Sequence, residues 1–450
     1  MSRTPQFTRQ ATRVTRGAAL LAAGIAALAL PLRAQQDSTR SGVRIGLTYR
    51  AGTKPGVLVL RVAGGATTAG DSLRAILSRD LDFGDRVTVL GDEAATAAAP
   101  ASGALLNYPL IAKLGAAAAV QLTLTGTGAH VALHDVGAAR VLQVRDFPLP
   151  ADATSAAWRL AVHALSDEVE RWITGTRGIA ASRIAYVREG RVWVADSDGE
   201  NAHPVTEGSG ALSPAWHPDG RHLAYSVLTR DGSRIAVRDL AGGNTHMIPA
   251  GSGGLDITPV FSRAEPGTIA FARAQSEGMD VVVTDWAGGA NVRRVTIGRG
   301  SDNVGPTFSP DGRRIAFTSG RPGHPEVYIT DVDGSNAELL TPYEFGDQNY
   351  RASPDWSPDG RAVAFQSRIG GRFQVMTIAL RDRTVKQHTS DAANEDPSWA
   401  PDGRHLVFTS TRTGSRQLFV LDTESGRVRQ LTRGAAARLA AWSPSLATAP

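Results

Sequence analysis

Two kinds of apolar patterning divide the chain. As far as about residue 173 the apolar positions change from strand-like runs to helical spacing and back; beyond 180 they alternate with polar ones in short runs that recur. In the first part, residues 43–49 and 56–62 predict strands, the second nearly continuous in apolar character, as in a buried strand. After a turn over 63–70, Leu73, Ile76, Leu77 and Leu81 follow helical spacing, and Asp71 is placed to cap that helix. Residues 87–90 predict another strand. The Ala-rich stretch 94–104 has no period and predicts a loop, and 105–114 a short helix. Three strands at 119–125, 130–134 and 141–147 follow. A helix over 153–173 then sets Trp158, Leu160, Ala161, Leu165, Val169 and Trp172 along one face, with Thr174-Gly175 as its stop. These elements predict a small α/β domain over 35–176.

The second part repeats one phrase, Pro-x-aromatic-Ser-Pro-Asp-Gly-Arg, before each alternating run. Copies lie at 214–221 (His217 for Ser), 306–313, 354–361 and 397–404 (Ala400 for Ser), with a worn copy at 259–267 and a truncated one at 440–444. The aromatics Trp216, Phe261, Phe308, Trp356, Trp399 and Trp442 recur every 43 to 48 residues, the period of one four-stranded sheet per repeat. In the turn, Pro pre-sets φ, Asp accepts from amides ahead of it and Gly takes positive φ. The first repeat, with strands at 183–187, 192–196 and 203–205, lacks an inner strand; the last copy, 439–442, supplies only that strand. Joining the two closes a six-bladed β-propeller over 180–446 and removes the edges of an open array. The recurring aromatics are expected to pack between blades, each contributing about 1.5–3 kcal/mol.

Composition changes this picture only at the N-terminus. Arg3, Arg9, Arg13 and Arg16 precede an apolar stretch over 17–32, and Leu32-Arg33-Ala34 offers a cleavage site, so residues 1–34 read as a secretory signal peptide. Those residues hold five of the 48 basic side chains and no acidic one, which leaves 43 basic against 43 acidic groups. A neutral mature chain without a basic stripe argues against nucleic acid or an anionic membrane as partner. With no cysteine, disulfides, thiolate metal sites and cysteine nucleophiles are excluded.

The junction of the two parts carries a family resemblance. His163-x-x-Ser166-Asp167-Glu168-Val169, then Thr174-Gly175, Gly178 and Arg183-Ile184-Ala185-Tyr186-Val187, together with the ending Ala441-Trp442-Ser443-Pro444, resemble TolB, the periplasmic component of the Tol–Pal system. The layout of leader, α/β domain and six-bladed propeller is similar over the whole chain. The second strand lacks the Pro-Phe ending common in the family. The resemblance implies a monomeric, non-enzymatic periplasmic scaffold without cofactor or metal, supporting outer-membrane integrity and cell division. Its propeller would bind a Pal-like lipoprotein through segments preceding the inner strands. Here those segments supply Asp256 and Thr258; Ser301, Asp302 and Asn303; Gln348, Asn349, Tyr350 and Arg351; and Asn394 and Glu395. A TolA-like inner-membrane protein would engage residues 35–44, through Ser41, Val43 and Arg44. The repeat class also admits a propeller for another periplasmic peptide or glycan, or the regulatory part of a prolyl peptidase.

Other motifs in the chain spell rival chemistry. Gly70-Asp71-Ser72-Leu73 spells a lipase-esterase nucleophile motif, with Asp219-x-x-His222 or Asp402-x-x-His405 as partners, but Ser72 falls in a helix start and both pairs are copies of the repeat turn. Asp196-Ser197-Asp198-Gly199 and Asp331-Val332-Asp333-Gly334 open like calcium loops without the closing glutamate, and read as turns. His130, His134 and Asp135 read as a solvated sheet edge rather than a metal site. His163 either ties the two domains together or is a helix-surface residue without a role. Tyr350 and Arg351 are types enriched at interface hot spots.

Overall fold

The computed structural model describes residues 47, 53–63, 67–98, 106–250, 254–288, 291–298, 300–342 and 349–446. The expected leader, the segment 35–44 with Ser41, Val43 and Arg44, the strand 43–49 apart from Leu47, and Gln348 lie outside them.

Five strands, β1 (Gly56–Val59), β2 (Thr88–Val89), β3 (Ala118–Thr125), β4 (Gly128–Asp135) and β5 (Arg140–Pro148), form one mixed sheet in the order β2-β1-β3-β4-β5. β1 pairs in parallel with β2 and β3, and is covered on both faces, which is why it reads as an unbroken apolar run. One face carries helices α1 (Thr68–Phe83) and α4 (Ala156–Thr174); the other carries α2 (Asp92–Ala97) and α3 (Tyr108–Lys113).

Several local expectations are corrected. α1 begins before Asp71: Thr67 is its N-cap, its side chain accepting from the Gly70 amide, and Asp71 lies in the first turn. α2 occupies the start of the expected loop, because Ala is the best helix former even where no apolar stripe announces it. α4 is capped by Ser155, and its buried apolar face is Trp158, Val162, Leu165, Val169 and Ile173, with Leu160 and Ala161 half-exposed. His134 is not at a solvated edge. It is buried on the inner strand β4, its Nδ1 2.9 Å from the Tyr108 hydroxyl and Nε2 3.2 Å from Gln121 Oε1, while His130 is exposed beside Asp146. Burial lowers the His134 pKa and favours the neutral ring.

Six four-stranded antiparallel sheets follow, and the sixfold count closes as expected. The first blade pairs the last strand of the chain, Ala437–Trp442, with Arg183–Arg188, in the register Ala437↔Arg188 to Trp442↔Ile184. The other inner strands are Ala211–Trp216, Asp256–Phe261, Asn303–Phe308, Arg351–Trp356 and Asn394–Trp399. Each aromatic packs against the preceding blade: Phe308 on Val281 and Val283, Trp356 on Val327 and Ile329, Trp399 on Val375, Trp442 on Val407 and Leu418.

Every inner strand also carries a bulge at its third residue. Ser213, Thr258, Gly305, Ser353, Asp396 and Leu439 all have φ between 48° and 61°, and the ladder register shifts there in all six blades. Only one of the six is glycine. The bulge turns the following proline (alanine in the first blade) into a central channel of about 470 Å³, lined by Pro214, Pro259, Pro306, Pro354 and Pro397.

Candidate functional site

The channel has two unlike ends. At one end lie the Pro-Asp-Gly turns, and the α/β part is seated there on that of the sixth blade and on the turn over 196–199 of the first. Arg86 bridges Glu170 of α4, at 3.1 Å, and Asp402 of the sixth-blade turn, at 3.0 Å. Asp85 accepts from Ser425 and Arg427, and Asp82 pairs with Arg427 and Arg429. Asp198 of the first blade accepts from Arg159 of α4 at 2.7 Å. His163 is buried beside it, Nδ1 2.8 Å from Asp80 of α1 and Nε2 3.9 Å from Asp198, so of its two readings the structure favours the tie between the parts.

Two α4 carboxyls in this seam are displaced from their ordinary range. Burial pushes Asp167 up to about 8, against the pull of the Ala180 and Ala181 amides, and Glu170 up to about 7, against Arg86. Gly178 allows this packing, since a Cβ there would stand 2.5 Å from Asp167 Oδ1. Asp198 belongs to one of the two calcium-like runs; its carboxylate is held by arginine, and the run is a turn. Ser72 sits in the first turns of α1, in a different element from both Asp-x-x-His turns.

The other end is the mouth, where the inner strands begin. Asp256 is buried and accepts from Arg273 Nε at 2.8 Å and Nη2 at 2.9 Å. Asn303 is buried between Ser319 and Asp280, and Asn394 between Gln374 and Arg412. Arg351, half-buried, pairs with Glu326 at 3.1 Å. These four side chains tie the first residues of four inner strands to their own blade or to the preceding one, and turn away from solvent.

What remains for a partner is narrower than the eleven-residue expectation. Thr258 lines the channel, its hydroxyl accepting from the Gly305 amide. Asp302 is exposed, Ser301 and Asn349 half-exposed, and Glu395 lies 3.6 Å from Arg416. Tyr350 is 38% exposed, with its ring edge-on to Phe373.

Two features of the mouth had no readable signal. In the third to sixth blades a threonine after the outer strand, Thr296, Thr341, Thr389 and Thr432, donates to Asp280, Glu326, Gln374 and Gln417 respectively and accepts from the next amide of the blade's third strand. This polar clasp repeats, but on residues too common to stand out. Around it, Leu228 (54%), Leu255 (36%), Ile297 (61%) and Ile369 (42%) join Tyr350 as exposed apolar side chains at this one end. Inside the channel, burial raises the carboxyls of Asp355 and Asp396, the latter to about 6.

A closed six-bladed propeller with a small α/β part seated at one end of its channel defines the class, a two-part β-propeller protein. The TolB beta propeller domain family, PD40, matches residues 170–446, and the chain belongs to it. The Tol-Pal system protein TolB of Bordetella pertussis is 33% identical over 184 residues, 40% of this chain and 41% of that protein. The TolB homolog of Chlorobium chlorochromatii is 31% identical over 229 residues, 49% of this chain and 50% of that one. The chain thus spans half or less of the length of these curated relatives. The crystal structure of TolB from Acinetobacter baumannii superposes with a TM-score of 0.75 at 25% identity, covering 87% of this chain and 97% of that chain.

Proposed function

We propose that this chain is a periplasmic component of a Tol–Pal-like envelope system, a non-enzymatic scaffold whose propeller mouth takes a Pal-like lipoprotein. Its segment 35–44 would communicate with a TolA-like inner-membrane partner, and the pair of contacts would support outer-membrane integrity and division. The domain division 35–176 and 180–446 and the removal of residues 1–34 on export belong to the same proposal. The supporting observation is the mouth: it lies opposite the seated α/β part and carries, among the described residues, five exposed apolar side chains around a channel. Among the described residues no helix is long and apolar enough to cross a membrane.

Titration of the mature chain with the Pal homologue of the same organism tests this. Tyr350→Ala and Ile369→Ala are each expected to weaken binding by about tenfold, while Val144→Ala, on the exposed strand β5, leaves it unchanged. Absence of any binding, or equal binding by all three variants, overturns the reading.

A further inference from the structure

The Pro-Asp-Gly turn of the second blade differs from those of the fourth and fifth at two places. In the fourth and fifth blades the turn begins with Ser309 and Ser357, whose hydroxyls donate at 2.6 Å to Asp311 and Asp359. Here His217 replaces the serine, and His222 stands where the fifth blade has Ala362. His217 Nδ1 lies 2.9 Å from Asp219 Oδ1, and His222 Nδ1 2.7 Å from Asp219 Oδ2. Two imidazole nitrogens and a carboxylate oxygen thus lie within 4.8 Å of one another.

The hydrogen bonding of His217 makes this arrangement unusual. Its Nε2 lies 2.9 Å from the Pro266 carbonyl oxygen, which can only accept, so the proton of a neutral ring sits on Nε2. Nδ1 then turns its lone pair toward the Asp219 carboxylate, shared at 3.2 Å with the Asp219 amide. A lone pair facing an anion is repulsive unless a cation joins them. The orientation of a ring by an N–H donated to a backbone carbonyl is also how metal-binding histidines are commonly held.

The sixth blade shows what its own Asp-x-x-His turn uses as cation. Asp402 and His405 repeat the pair, and Arg86 of the α/β part reaches Asp402 at 3.0 Å. No lysine or arginine among the described residues pairs with Asp219. The carboxylate is nevertheless fixed, since its Oδ1 accepts from the Arg221 and His222 amides at 2.8 and 3.0 Å. One side is open: Asp219 is exposed, whereas His217 is buried against Phe261 and Trp286.

We propose that His217, Asp219 and His222 bind one divalent transition ion of the zinc class, with water completing its coordination. Two nitrogens and one carboxylate suit zinc, nickel or copper(II) rather than calcium or magnesium. The site lies at the Pro-Asp-Gly end of the channel, on a blade other than the two that seat the α/β part.

Calorimetric titration of the chelator-treated full chain with zinc chloride tests it. One equivalent is expected to bind and to raise the melting temperature. His217→Ser and His222→Ala give this turn the residues of the fifth blade, so both variants keep a turn the chain already folds. Each is expected to weaken zinc binding by about tenfold or more, and the double variant to remove that equivalent without lowering the zinc-free melting temperature. The proposal is overturned if the double variant binds zinc as the parent does. It is equally overturned if the parent binds none.

Discussion

Truncation of the chain before Ala437 is expected to abolish the monomeric fold rather than trim it. The final strand supplies the inner edge of the first blade; without it that blade presents an unpaired ladder and the sixth loses the packing partner of its Val407 and Leu418. Trp442 concentrates the effect: it is buried against Val407 and Leu418, its indole N–H donates to Ser182 Oγ at 2.8 Å and its amide to Ser398 Oγ at 3.2 Å. Trp442→Ala should cost about 3–5 kcal/mol, and Trp442→Phe less, since it keeps most of the packing and loses the indole bond. Chemical denaturation measures both. A truncated chain that stays monomeric with native near-ultraviolet circular dichroism would refute ring closure as the source of stability.

The second large effect is expected at Arg86. Its guanidinium stands between two buried carboxylates on the two sides of the seam, so Arg86→Ala leaves Glu170 and Asp402 without their shared cation, at about 3–5 kcal/mol. The sign of the pH dependence follows from Glu170. Its pKa in the folded chain, about 7, lies above its unfolded value, so its contribution is fully present below the unfolded pKa and is lost as pH rises through about 7. Removing Arg86 raises that carboxyl further, and the stability gap between parent and variant should widen from about pH 5 to about pH 8. Adding Glu170→Gln should narrow the gap at the higher pH. A gap that is constant with pH would show that Arg86 acts through packing alone.

The blades were legible because one aromatic and one turn recur at a nearly fixed interval, and the closing strand because a truncated repeat at one end matches a missing strand at the other. Single-element details were less so: Thr67, rather than Asp71, caps α1, and the alanines of α2 carry no period to read. The seam was not legible. Asp82, Asp85 and Arg86 meet Asp402, Ser425, Arg427 and Arg429 across more than 300 residues, and α4 buries Asp167, Glu168 and Glu170 on the face that its amphipathic pattern assigns to water. A polar helix face packed on a second polar surface has the sequence pattern of a solvated one.

At the mouth, the segments named from the resemblance run into the inner strands, with Asp256, Asn303, Arg351 and Asn394 as first strand residues, and position alone does not say which way a side chain turns. Asp256, Asn303 and Asn394 are withdrawn because neighbouring strands offer Arg273, Ser319 and Gln374 at bonding distance. Those partners are one or two strands away, and only folding aligns them.

The bulged third residues of the inner strands bear on how such a bore can change. Five of the six hold positive φ without being glycine, a departure that recurs at the same station of every blade and is fixed by the neighbouring ladder. The aperture is therefore a property of peptide geometry, not of the groups that decorate it. Serine, threonine, aspartate and leucine already occupy equivalent stations on one circumference, so the tube can be repainted, one wall at a time, without being rebored.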